Sequence, residues 1–141
     1  MADAYRHIAC CLDGSAAGDA ALAAALRMRS LGPGALTLVH VMEPGLAYAG
    51  FSTDLGVEDP ANSRKWMESV LALAPGADGV LLEGHAPTAV CDWAAGHDVD
   101  LIVAVRHRGR AERVLLGSFA QHLAYGAPCE LLLAEPPTPA G

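Results

Sequence analysis

Five short apolar runs, at residues 7–12, 35–41, 79–83, 100–105 and 129–134, read as strands. Their apolar character is continuous, not alternating, which is the pattern of parallel strands covered on both faces. Between them lie stretches with helical spacing. Residues 16–31 predict a helix with Ser15 as N-cap, Asp19 in its first turns and Gly32-Pro33 as its stop. Asp59-Pro60 opens a second helix to about Ala74, on which Trp66, Val70 and Leu73, with Met67 and Leu71, form one apolar stripe. Pro87 opens a third helix that closes near Gly96, and residues 118–125 make a short fourth, stopped by Gly126 and Pro128. Residues 42–58 are long for a loop in a compact domain and predict a lid or a poorly ordered segment. The alternation predicts an α/β fold: a doubly wound, five-stranded parallel sheet with helices on both faces. One domain is expected over residues 1–134, followed by a Pro-rich tail, 135–141, that frays.

With 141 residues the chain is long enough to bury a core without disulfides or metal. Its 52% hydrophobic content excludes a disordered acidic protein, and 5% aromatic content with abundant Ala, Val and Leu predicts packing by small side chains. A formal charge of −7 argues against nucleic acid and against an anionic membrane surface as partners. No run approaches the roughly 20 apolar residues of a membrane helix, and the first apolar run is too short for a secretory signal core. The cytoplasm is therefore the expected location.

The cysteines, Cys10, Cys11, Cys91 and Cys129, show no C-x-x-C spacing and are expected as free thiols, with Cys10 and Cys11 on opposite faces of a strand. His7, His40, His85, His97 and His122 lack ligand spacing, so no metal site is expected. The only lysine, Lys65, follows no glycine-rich loop, which excludes a Walker-type P-loop. Neither paired catalytic carboxylates nor a Ser/His/Asp set can be assigned. The expectation is a binding module without catalytic residues.

Charge is unevenly placed. Four of the nine basic residues lie between Arg106 and Arg113, opposed only by Glu112, so that segment carries +3 and the rest of the chain −10. Doubly wound sheets bind ligands outside the carboxyl ends of their strands, where strand order reverses. The first strand delivers Asp13-Gly14-Ser15 to that edge, the second His40-Val41, and the fourth the Arg-rich loop leading to Gly117-Ser118 at a helix start. A helix amino terminus and arginines both suit phosphate. These pieces converge on an anionic, nucleotide-like ligand, whereas the plainer reading of the arginines is a solvated loop pairing with carboxylates.

The order and spacing of several segments resemble the universal stress protein family from Arg6 to Ala134. They are residues 8–15 ending Asp13-Gly14-Ser15, residues 36–41 ending His40-Val41, and Gly84-His85-Ala86-Pro87. Residues 100–103, Leu115-Leu116-Gly117-Ser118 and Ala127-Pro128-Cys129 complete the set. The resemblance implies strand order 3-2-1-4-5, as in the adenine-nucleotide alpha-hydrolase-like folds, and a homodimer through the last strand, residues 129–134. It also implies a stress-response role and a division into ATP-binding and non-binding branches.

The binding branch carries G-x2-G-x9-G-[ST] after the fourth strand, of which only Gly117-Ser118 survives here. Counted back from Gly117, the earlier glycine positions hold Ala104 and His107; counted forward from Asp100 they hold Val105 and Arg108, and Gly109 fits neither. Side chains there crowd the approach of backbone to phosphate. The leading expectation is a regulatory stress-response module that does not bind ATP in the family's usual pose. The alternative is binding of ATP, AMP or a cyclic nucleotide with the Arg-rich loop replacing the glycines, with slow hydrolysis as an option. Candidate contacts are then Asp13, Val41, Arg106, His107, Arg108, Gly109, Gly117, Ser118 and Phe119. Asp13 reads equally as the organiser of its own turn. Ser118 reads first as the N-cap of the capping box Ser118-Phe119-Ala120-Gln121.

Overall fold

A computed structural model of the chain describes residues 4–15, 17–43, 59–106 and 116–136. The strands are β1 (His7–Cys11), β2 (Ala35–Met42), β3 (Asp78–Glu83), β4 (Leu101–Val105) and β5 (Glu130–Ala134). The helices are α1 (Gly18–Arg29), α2 (Pro60–Leu71), α3 (Ala86–Gly96) and α4 (Ser118–Gly126). The sheet has the order β3-β2-β1-β4-β5 and every pairing is parallel. The expected fold class and strand order are therefore those observed. The 42–58 lid and the 135–141 tail fall almost wholly outside the described residues.

Two apolar layers hold the sheet, and strand periodicity sorts the side chains between them. Ile8, Cys10, Leu36, Leu38, Leu101 and Val103 face the α1 and α2 side, where Ala21, Leu22, Ala24 and Ala25 bring α1 close to the strands. Ala9, Cys11, Val39, Ile102 and Ala104 face the α3 and α4 side, against Val90, Ala94 and Leu123. The adjacent cysteines thus lie on opposite faces. β1 and β4 are the most deeply buried strands because each is paired on both edges and covered on both faces. Truncating such a side chain to Ala typically costs about 2–5 kcal/mol, comparable to half the stability of a small domain.

Helix ends follow local chemistry, with some departures from sequence expectation. Asp59 caps α2, its Oδ1 accepting from the Ala61 N–H at 3.0 Å. At α3 the cap comes from a distant residue: Glu43, just past β2, accepts from the Ala86 N–H at 3.1 Å. Ser15 does not cap α1. Its hydroxyl donates to Asp13 Oδ1 at 2.6 Å, and the helix begins at Gly18 after Ala17. Leu73 does not join the α2 stripe, because the helix ends at Leu71 with Ala72 as C-cap, leaving Leu73 64% exposed.

The amino ends of β1 and β4 are joined by one carboxylate. Asp100 accepts from the Arg6 N–H at 2.8 Å and the His7 N–H at 2.9 Å, with the Arg6 guanidinium 4.0 Å away. Partial burial pushes its carboxyl up, but the amides of Arg6, His7 and Asp100 itself and the Arg6 charge outweigh that and hold it below the ordinary value. A carboxyl lowered in the folded state stabilises above its unfolded pKa and stops doing so as pH falls through its folded one. Asp100→Asn is expected to cost about 1 kcal/mol at neutral pH, since the group is partly exposed. In denaturant titrations the deficit relative to wild type should persist down to the ordinary carboxylate range and close below it; a deficit independent of pH would refute the electrostatic origin.

Candidate functional site

Register fixes the candidate edge. The last β1–β2 pair is Cys11 with Val39, and the last β1–β4 pair is Cys10 with Val103. Counting onward, Asp13 stands level with Val41 on one side and Arg106 on the other. Three residues picked from separate parts of the sequence therefore share one rung across β2, β1 and β4. It is also the place where strand order reverses, since α1 returns the chain on one face and α3 crosses to the other.

At this rung β1 leaves the sheet. The Leu12 N–H still donates to the Val39 carbonyl at 2.8 Å, but Leu12 is no longer strand. Backbone groups alternate along β2: Val39 faces β1, and Met42 faces β3, where its carbonyl accepts from the Gly84 N–H at 3.1 Å. Val41 must then turn its N–H and C=O toward the side that β1 has vacated. The Leu12 carbonyl, the natural partner of the next rung, accepts from His40 Nδ1 at 2.8 Å. Asp13 Oδ1 accepts from both the N–H and the hydroxyl of Ser15, at 2.9 and 2.6 Å, closing an Asx turn over Gly14. Gly14 has φ of +84°, a conformation that glycine adopts without the penalty other residues carry. Asp13 is thus a turn organiser, and its carboxylate remains beside the crevice.

The far wall is built by Arg106. Its N–H donates to the Ala134 carbonyl at 2.8 Å, extending the β4–β5 ladder, and its carbonyl accepts from the Gly117 N–H at 2.8 Å. That second bond pinches together the two ends of the intervening segment and seats the start of α4 beside the end of β4. The Arg106 guanidinium places Nη2 3.3 Å from Glu135 Oε1, while its Nε is buried. This is the carboxylate-pairing reading for that residue. His107, Arg108 and Gly109 lie outside the described residues.

Gly117, not Ser118, is the N-cap of α4, with φ −71° and ψ 164°. Ser118 is the first helical residue, so the capping box does not form. Phe119 packs its ring into the core on the α3 and α4 side, leaving its backbone at the helix start. Among the described residues, α4 has neither a side-chain cap nor an acidic residue in its first turn, whereas α2 and α3 each receive a carboxylate and α1 carries Asp19. An uncapped, positively polarised helix end, worth roughly 0.3–1 kcal/mol to an anion at an exposed site, thus opens toward the crevice.

Chemistry elsewhere is sparse. Burial pushes the Cys10 thiol up to about 12, and Cys11 is held well above the ordinary value, first by burial and then by neighbouring thiols. Burial and neighbouring charge raise the half-buried Cys91 and Cys129 as well. An open groove of about 630 Å³ between α3 and α4, lined by Pro87, Cys91, His122 and Tyr125 among others, lies apart from the strand ends. It brings no converging charge.

Residues 4–135 match the model of the universal stress protein family. A universal stress protein of Thermus aquaticus is 31% identical over 136 residues, covering 93% of this chain and 99% of that one. Among solved structures, a universal stress protein in complex with cAMP aligns at TM-score 0.71 and 18% identity, over 96% of this chain and 100% of that one. The universal stress protein from Archaeoglobus fulgidus in complex with dAMP aligns at TM-score 0.64 and 20% identity, over 94% of this chain and 99% of that one.

Because the thiolate is the reactive form, a disulfide reagent at mildly alkaline pH should label Cys91 and Cys129 slowly in the native protein. Cys10 and Cys11 should react only once denaturant is added. Rapid labelling of all four without denaturant would contradict the burial described.

Proposed function

Since the chain belongs to the universal stress protein family, we propose that it is a regulatory stress-response module that binds an adenine mononucleotide, and not ATP in the glycine-loop pose. One observation carries this reading. β1 departs at the rung shared by Asp13, Val41 and Arg106, exposing a backbone edge on β2 opposite an uncapped α4 terminus.

Each part has a matching ligand group. The N–H and C=O of Val41 pair with the edge of the base, as adjacent donor and acceptor. The Asp13 carboxylate accepts from ribose hydroxyls. The N–H groups of Ser118 and Phe119 meet the single phosphate, with Arg108 or its loop neighbours supplying positive charge. A mononucleotide does without the cradle that the missing glycines would give a triphosphate. Structural neighbours captured with cAMP and dAMP support ligands of this size. We propose binding without turnover. The second reading is a nucleotide-free interaction module with the basic loop closed over the crevice, and the loss of both glycines is what favours it.

We further propose a cytoplasmic homodimer through β5. Among the described residues its outer edge has no strand partner, and Leu131, Leu132 and Leu133 are only half-buried in the single chain. Open apolar edges of this kind are normally covered. Four free thiols support a reducing compartment, and among the described residues no helix is long and apolar enough to cross a membrane.

Ligand at a hundredfold its Kd stabilises a folded protein by about 2.7 kcal/mol, so AMP and cAMP should raise the melting temperature by several degrees. ATP should do so less, and Asp13→Ala or Arg108→Ala should abolish most of the shift. No shift with AMP, cAMP or ATP at millimolar concentration would overturn the binding reading in favour of the interaction module. Native mass spectrometry tests the assembly: a dimer lost on Leu132→Lys is expected, and a wild-type monomer at micromolar concentration would refute it.

A further inference from the structure

The geometry points to His40 as the positioning residue of the crevice, an inference that rests on the mononucleotide reading above for its functional half. His40 sits on β2 immediately before Val41 and is 5% exposed. Its Nδ1 is 2.8 Å from the carbonyl of Leu12, immediately before Asp13. A carbonyl only accepts, so Nδ1 carries the proton. The two residues proposed to hold base and ribose are therefore each one peptide unit from the ends of this single hydrogen bond.

The bond also explains how β1 can leave the sheet without fraying. In a regular parallel ladder the Leu12 carbonyl would be taken by the next rung of β2, committing the backbone edge at Val41. Here the imidazole takes that carbonyl from the α2 side of the sheet, and Val41 keeps its backbone directed at the crevice. The orientation of the ring is itself set by packing: Trp66 of α2 meets it edge-on, with ring centroids 4.9 Å apart and planes at 63°. His40 and Trp66 thus form a buried strut from α2 to the turn that bears Asp13. A buried His is also a costly way to fill an apolar layer unless its polar atoms are satisfied, and Leu38, two residues earlier on the same face, shows what the layer otherwise uses.

Two variants separate positioning from packing. His40→Leu keeps apolar volume and removes the donor; His40→Asn retains an N–H at the same number of bonds from the backbone as Nδ1. In nucleotide-free protein, amide exchange at Gly14 and Ser15 should quicken about tenfold in His40→Leu, the size expected for losing one buried hydrogen bond, and return toward wild type in His40→Asn. AMP affinity should fall by a similar factor in His40→Leu and recover in His40→Asn. Unchanged exchange at Gly14 and Ser15 in His40→Leu would overturn the inference, as would a weaker affinity that His40→Asn does not restore. Were wild type to bind no AMP, the mononucleotide reading would fall while the exchange data still decided the strut. Should His40→Leu not fold, nitrogen chemical shifts of the wild-type imidazole decide it: a proton on Nδ1 is required, and a proton on Nε2 alone would refute the bond.

Discussion

The structure turns on the central strand. β1 must satisfy a hydrogen-bond ladder on both edges and apolar packing on both faces, and then stop while β2 runs on beside it. Each demand is visible in its residues. Ile8, Ala9, Cys10 and Cys11 serve the two layers, Asp100 ties its amino end to β4, and the His40 bond ends its pairing with β2 without leaving a buried carbonyl to be satisfied elsewhere. Were β1 two residues longer, the ladder would close over the rung of Asp13, Val41 and Arg106, and no crevice would exist. Topology adds the rest. The order reverses at this strand, so the connections after β1 and β4 depart from the same edge, and the start of α4 is held beside it by the Arg106–Gly117 hydrogen bond.

Electrostatics favours the same place by modest amounts. An acidic chain repels anions at long range, and a single uncapped helix end contributes about 1 kcal/mol at most when exposed. Selective binding of a phosphate on such a surface needs several donors aimed together and some positive charge nearby. The chain supplies backbone donors at Ser118 and Phe119 and carries Arg108, Arg110 and Arg113 in the residues that precede them in sequence. It commits Arg106 to Glu135 and carboxylates to the starts of α2 and α3, and among the described residues no side chain caps the α4 terminus. On the proposed reading, selectivity for one phosphate over three follows from the sequence, which lacks the two earlier glycines that a longer chain of phosphates would need for close backbone approach.

Most of the fold was legible because continuous apolar strands and capped, Pro-initiated helices are strong local signals. Asp59-Pro60 and Pro87 both mark real helix starts. Where the structure departs from the sequence pattern, a competing hydrogen bond, local or tertiary, overrides the simple capping preference. Ser15 looked like an N-cap, yet its hydroxyl is drawn to Asp13; Ser118 looked like one too, but Gly117 takes that place because its N–H is pinned to Arg106. The cap on α3 comes from Glu43, forty-three residues away, and no local pattern could reveal it. Of the site, Asp13 and Val41 were visible as strand-end residues, but their shared level is a matter of register. His40 is visible at that edge as the partner of Val41 in the dipeptide His40-Val41, but its hydrogen bond to the Leu12 carbonyl has no spacing signature. The signal available was its position as a polar residue in an apolar run, one step before the strand edge that matters.

Backbone amide shifts in a nuclear magnetic resonance titration with AMP offer the most direct measurement. Binding in the crevice requires the largest changes at Gly14, Val41, Ser118 and Phe119, saturating together with one affinity. Changes confined to the groove between α3 and α4, or none at millimolar AMP, would contradict it.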